Sequence, residues 1–113
     1  MTPADAPLVF AVVQMNSTTV LEDNLTQAVD FIGEAAAGGA DLVALPENFS
    51  LMPDTDRQRQ DAAQRAGEVE ALLSAAARDQ DVVIIGGSTP FPAEDGRVTN
   101  TCLVFHGSGK RIG

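Results

Sequence analysis

"ADLVALPENFS", residues 40–50, sets the problem. Leu42, Val43, Ala44 and Leu45 form an apolar run of strand length, and Pro46, which cannot donate to a ladder, turns the chain out of the strand. The next residue is the ionisable Glu47. A carboxylate at the end of a buried strand either stands in solvent, caps a neighbouring turn, or does chemistry.

The surroundings read as α/β. Leu8 to Val13 is a second unbroken apolar run, closed by Gln14 and Asn16 around Met15, as expected of a strand covered on both faces. Thr19 and Glu22 have capping-box spacing, and Leu21, Leu25, Ala28, Ile32 and Ala35 recur in steps of four and three, which predicts a helix ended by Gly38-Gly39. Met52 to Arg65 is polar and reads as a surface loop leading into a second helix, marked by Val69, Leu72, Leu73 and Ala76 and ended at Asp79 to Asp81. Val82 to Ile85 is the third strand, followed by Gly86-Gly87-Ser88. Pro90, Pro92, Asp95 and Gly96 make a turn-rich connection to a fourth strand, Thr101 to Phe105.

The predicted order is β-α-β-α-β-β, with the first three strands parallel through helical crossovers and the fourth a hairpin partner at one side. Two helices cover one face of such a sheet, while strands one and three are apolar on both faces, so a second layer must come from elsewhere. The final "GSGKRIG" leads into Arg111 and Ile112 as if another strand were starting, which reads as the first part of something longer.

Composition narrows the function. The 113 residues carry 7 Lys and Arg against 16 Asp and Glu, a formal net charge of -9, which disfavours nucleic acid and anionic membranes as partners. A single cysteine, Cys102, excludes an intrachain disulfide and a cysteine-based zinc cluster. The start has no Lys or Arg ahead of its apolar run, and that run is far shorter than the roughly 20 residues needed to span a bilayer, so no signal peptide and no membrane span are read. The expected location is cytoplasmic.

Among chemistry-bearing residues Glu47 ranks first. Carboxyl ends of parallel strands face the crevice where open α/β sheets place ligands, and partial burial there would bring a carboxyl toward the range a general base needs. Cys102 lies among apolar neighbours and reads as buried and inert. His106, roughly 13 Å along the strand at about 3.3 Å per residue, is too far to share its proton. "IIGGS", residues 84–88, lacks a phosphate-loop pattern, and Gly86 and Gly87 read as permitting close backbone approach. Arg57, Arg59 and Arg65, interleaved with Gln and Asp, read as a solvated helix face.

In order along the chain, "AVVQMNST", Asn24-Leu25, "GADLVALPENF", "VVIIGGS" and "TNTCLVFHGSGKRIG" resemble the amino-terminal part of the carbon-nitrogen hydrolase, or nitrilase, superfamily. "QMNST" and "LPENFSLM" are most like its bacterial amidase branch, which includes deaminated-glutathione amidase and ω-amidase. The resemblance implies that residues 1–113 are a partial domain, the amino-terminal part of a four-layer α-β-β-α sandwich, ending before the family's catalytic lysine and cysteine. It implies Glu47 as general base of a Glu-Lys-Cys group acting through a thioester on a small carboxylate-bearing amide. No metal or other cofactor is implied, and the intact protein would be a homo-oligomer. Neither Lys110 nor Cys102 occupies the family's catalytic positions, so the isolated chain is expected to be inactive. Asn48 and Phe49, just after the base, are candidates to line the pocket, with packing the other role open to Phe49. The alternative is an inactive fragment or a non-catalytic module that pairs through its open sheet face.

Overall fold

The computed structural model describes residues 6–113, so the first five residues of the charge-poor start lie outside the described residues. In chain order the elements are β1 (Phe10–Val12), α1 (Leu21–Ala37), β2 (Leu42–Ala44), α2 (Asp56–Ala63), α3 (Ala66–Gln80), β3 (Val83–Ile85), β4 (Thr89–Pro92), β5 (Val98–Thr101) and β6 (Val104–Phe105). The main sheet has the order β1-β2-β3-β6. Phe10 pairs with Leu42 and Leu42 with Val83 in parallel, while Ile84 meets Phe105 in an antiparallel pair at the edge.

Strand parity divides the sheet into two unlike faces. Val43, Ile84 and Phe105 are buried and pack with Leu25, Ala28 and Ile32 of α1 and Val69, Leu73 and Ala77 of α3 in a single core. The alternate positions face the other way. Phe10 and Val12 are 64% and 85% exposed, and Leu42, Ala44, Val83, Ile85 and Val104 are half-buried. The expectation that strand one is covered on both faces is therefore corrected: the helices cover one face, and among the described residues nothing covers the other.

α1 buries the predicted stripe, but the capping box of Thr19 and Glu22 does not form. Val20 is the N-cap, without a side-chain bond, and Glu22 turns to Arg65 instead. At its other end Gly39, at φ 96°, takes the left-handed conformation that a side chain would resist. The polar stretch expected as a loop contains α2, whose capping box joins Thr55 and Gln58 through both side chains. Only Ala62 and Ala63 of α2 are buried, so its sequence carries little apolar periodicity. Gln64 and Arg65 separate it from α3, which ends where Asp81 adopts the left-handed conformation.

The predicted fourth strand is two strands. β5 pairs with β4 in a two-stranded sheet that includes Pro90 and Pro92, and the chain breaks at Cys102 and Leu103 before β6 joins β3. Proline is compatible with β4 because that strand has a single neighbour and needs no ladder donor on its other side. Beyond the turn at Gly107 to Gly109 the chain folds back on β6. Ile112 N–H donates to the Val104 carbonyl at 2.9 Å, and Val104 N–H to that of Gly113 at 3.0 Å.

Candidate active site

The carboxyl ends of β2 and β3 run side by side, and the segment after β3 grips the segment after β2. Leu45 N–H donates to the Ile85 carbonyl at 2.9 Å, and Ser88 N–H to the Pro46 carbonyl at 3.3 Å. Asn48 N–H donates to Ser88 Oγ at 2.8 Å, and the buried hydroxyls of Ser50 and Thr89 meet at 2.6 Å. Contact is this close because residue 87 has no side chain. At φ 56°, a Cβ on Gly87 would fall 2.0 Å from the Pro46 carbonyl oxygen, and one on Gly86 would fall 2.6 Å from that of Leu103. The two glycines serve backbone approach, as their sequence context indicated.

A second set of contacts holds the same loop from the side of α1. Asn24, 2% exposed, accepts the Thr18 N–H at Oδ1 (2.9 Å) and donates from Nδ2 to the Thr18 and Ser50 carbonyls, both at 2.8 Å. Ser17 Oγ donates to the Phe49 carbonyl at 2.7 Å, and Met52 N–H to that of Thr18 at 3.0 Å. Sequence reading gave Asn24 no task. The available signal was a short amide between Leu21 and Leu25, inside the apolar arc of α1, where a polar group must find buried partners.

Glu47 stands on the turn between these two sets of contacts, flanked by Pro46 and by Asn48 at φ 55°. Its side chain is exposed, so the partial burial expected for it is not supplied by the described residues. Asn48 is half-buried, its amide 3.9 Å from the Met52 sulfur. Phe49 is fully buried in the helix-covered core, where it packs instead of lining an open surface.

Cys102 is exposed rather than buried, a correction with a simple cause: Leu103 and Phe105 take the inward positions, which leaves Cys102 facing out. His106 is exposed and its Nδ1 accepts the Ser108 N–H at 3.0 Å. Arg57 pairs with Asp61 in solvent, but Arg65 does more than decorate a helix face. It joins Glu22 of α1 to Glu68 of α3 at 2.5 and 2.7 Å. Glu22 is held below the usual carboxylate range by its own backbone N–H and then by the Arg65 guanidinium, and Glu68 by its hydrogen bonds from Arg65. A cleft of about 290 Å³ lies beside this cluster, lined by Val20, Leu51, Gln58 and Arg65 among others and not by Glu47. Among the described residues no group of three or more His, Cys, Asp or Glu is placed to hold a metal ion, and no helix is long and apolar enough to cross a membrane.

The family model for carbon-nitrogen hydrolases matches residues 10–113, from the first residue of β1 through the hairpin after β6. The chain belongs to the carbon-nitrogen hydrolase family. It is 39% identical over 101 residues to an omega-amidase NIT2 of Pongo abelii, a match covering 88% of this chain and 36% of that protein. It is 33% identical over 108 residues to a deaminated glutathione amidase of Synechocystis, covering 94% and 40% respectively. Among solved structures, Nit3 of Saccharomyces cerevisiae, a member of branch 10 of the nitrilase superfamily, superposes with a TM-score of 0.83 at 25% identity, over 94% of this chain and 42% of that one. The fold is thus that of the nitrilase superfamily, and the chain spans well under half the length of the relatives it matches. The helix layer and the sheet layer observed here are two of the four layers expected of the nitrilase sandwich.

Proposed function

We propose that this chain is the base-bearing, amino-terminal part of an amidase that acts on a small carboxylate-bearing amide, with Glu47 as general base. The observation that carries the reading is the place of Glu47: on a tethered turn at the carboxyl edge of a parallel strand, in a family whose named relatives are amidases. The partner groups, an oxyanion-stabilising lysine and a nucleophilic thiol, come from polypeptide other than these 113 residues. By itself the chain is inactive.

In this scheme the Glu47 carboxylate takes the thiol proton as sulfur bonds to the amide carbon, and the lysine steadies the developing oxyanion. The tetrahedral intermediate expels nitrogen, which leaves as ammonia with the proton that Glu47 returns, and a thioester remains. Glu47 then takes a proton from water as its oxygen attacks the thioester carbon. Cleavage of the C–S bond releases the acid and restores the thiol. One carboxylate serves both halves because each needs a proton held and then given back. Its desolvation would come from a surface laid over the open face of the sheet.

The test is Glu47→Gln in an active enzyme carrying residues 1–113. Ammonia release should fall by at least 10²–10⁴-fold with the fold unchanged, and retained turnover would remove Glu47 from the mechanism. A second reading, a non-catalytic module that pairs through its open face, is favoured by one observation, the exposed apolar residues Phe10 and Val12 on the uncovered side of β1.

A further inference from the structure

Resting on the reading of Glu47 as the base, we propose that Ser88 is its positioning residue, setting the carboxylate's direction by bracketing the turn that carries it. Ser88 holds both neighbours of Glu47 at once. Its backbone N–H donates to the carbonyl of Pro46, the residue before, and its hydroxyl oxygen accepts the N–H of Asn48, the residue after. The peptide units on either side of the base are thereby tied to one residue that is itself 9% exposed and immediately precedes β4.

The bracket matters because the turn does not hold its shape unaided. Asn48 sits at φ 55°, a conformation that costs an L residue energy even though asparagine tolerates it better than most. The Ser88 hydroxyl satisfies the one backbone donor that this conformation points toward β4. Without that acceptor, Asn48 can relax toward negative φ, and the Glu47 side chain swings with its peptide. Below the bracket, Gly87 brings the two backbones close enough for Ser88 to reach. Beyond it, the Ser50–Thr89 hydroxyl pair fixes the far end of the loop. Ser88 has no role in the proton transfers themselves; it acts through Glu47.

The proposal separates from a merely structural role by kinetics and by rescue. In an active enzyme carrying residues 1–113, Ser88→Ala should lower kcat by about 10–100-fold, the scale of a misplaced catalytic group, with KM changed less than about threefold. Ser88→Thr, which keeps the hydroxyl acceptor, should recover most of kcat. Should the alanine variant fail to fold, Ser88→Cys is read in its place, since sulfur fills the site but accepts only weakly. Independently of turnover, amide hydrogen exchange in the same enzyme should show the Asn48 N–H losing protection in Ser88→Ala and regaining it in Ser88→Thr. A folded Ser88→Ala or Ser88→Cys variant with kcat within twofold of the parent, or unchanged Asn48 protection in Ser88→Ala, overturns the assignment of Ser88 alone. Activity retained in Glu47→Gln overturns the base itself, so the two failures are distinct.

Discussion

Asn24 and Ser50, 26 residues apart in sequence, are joined by a buried 2.8 Å hydrogen bond from the Asn24 amide to the Ser50 carbonyl. With the two bonds between Asn24 and the backbone of Thr18, it ties the loop after Glu47 to the loop before α1. Asn24→Ala removes a partner from three backbone groups, but exposed Thr18 can turn to water and its carbonyl keeps the Met52 N–H, so the Ser50 carbonyl is the group left buried and unpaired. The cost should be about 1–3 kcal/mol, the penalty of one buried carbonyl left without its partner. Denaturant unfolding measures it. A loss below about 0.5 kcal/mol, the size of an ordinary surface change, would mean that the amide is not a structural tether.

Gly87 and Gly96 make a matched pair for testing how much the close approach of the two backbones matters. Both have positive φ, 56° and 83°, so an alanine at either carries the left-handed penalty of about 1–2 kcal/mol. They differ in surroundings. A Cβ at residue 96 meets nothing within 4 Å, whereas at residue 87 it would overlap the Pro46 carbonyl. Gly96→Ala should therefore cost only the conformational term, and Gly87→Ala should exceed about 4 kcal/mol or prevent folding. Equal effects by thermal denaturation would show that the backbone at Pro46 yields freely.

The uncovered face of the sheet gives a third prediction. Phe10 and Val12 are largely exposed and contribute little to the helix-covered core. Replacing them together, Phe10→Gln with Val12→Thr, should leave unfolding free energy within about 0.5 kcal/mol of the parent, as for other exposed positions. The same pair should reduce self-association and the fluorescence of a dye that reports apolar surface. A parent chain that is already monomeric and binds no dye would contradict the view that this face lacks a cover.

What the sequence made legible divides along physical lines. The three parallel strands were readable as short unbroken apolar runs and the stripe on α1 as a helical period that Leu25, Ala28 and Ile32 obey, because both are what burial requires. α2 escaped because only two small residues, Ala62 and Ala63, face inward, and its true start signal, Thr55 with Gln58, lay in a stretch too polar to mark a packed face. Cys102 was misplaced because a break in hydrogen bonding between β5 and β6 cannot be seen in an apolar run; parity about Leu103 then put the thiol outside. At the candidate site Glu47 stood out as an ionisable group at a strand end. Asn24 and Ser88 did not, since their partners are backbone groups of Thr18 and Ser50 and of Pro46 and Asn48, and such pairings exist only after folding.

Arg65 supplies a prediction with a definite sign in pH. Glu22 and Glu68 both have folded values below the ordinary 4.5, from the causes given above, so the unfolded chain binds protons more readily than the folded one as pH falls. Their contribution is accordingly complete above the unfolded value and disappears as acid titrates the folded carboxylates. Arg65, raised chiefly by Glu68, stays charged throughout. Arg65→Gln should lower Tm at pH 7, and the deficit relative to the parent should shrink steadily below about pH 4.5. Exposure keeps the effect small and sensitive to salt, so about 0.5 M NaCl at pH 7 should also narrow it. Arg65→Lys keeps the charge but loses the planar fork that reaches Glu22 and Glu68 together, and should recover only part of the difference. A deficit that is the same at pH 3 and pH 7 would instead assign the role of Arg65 to packing of its apolar stem against the cleft beside Leu51.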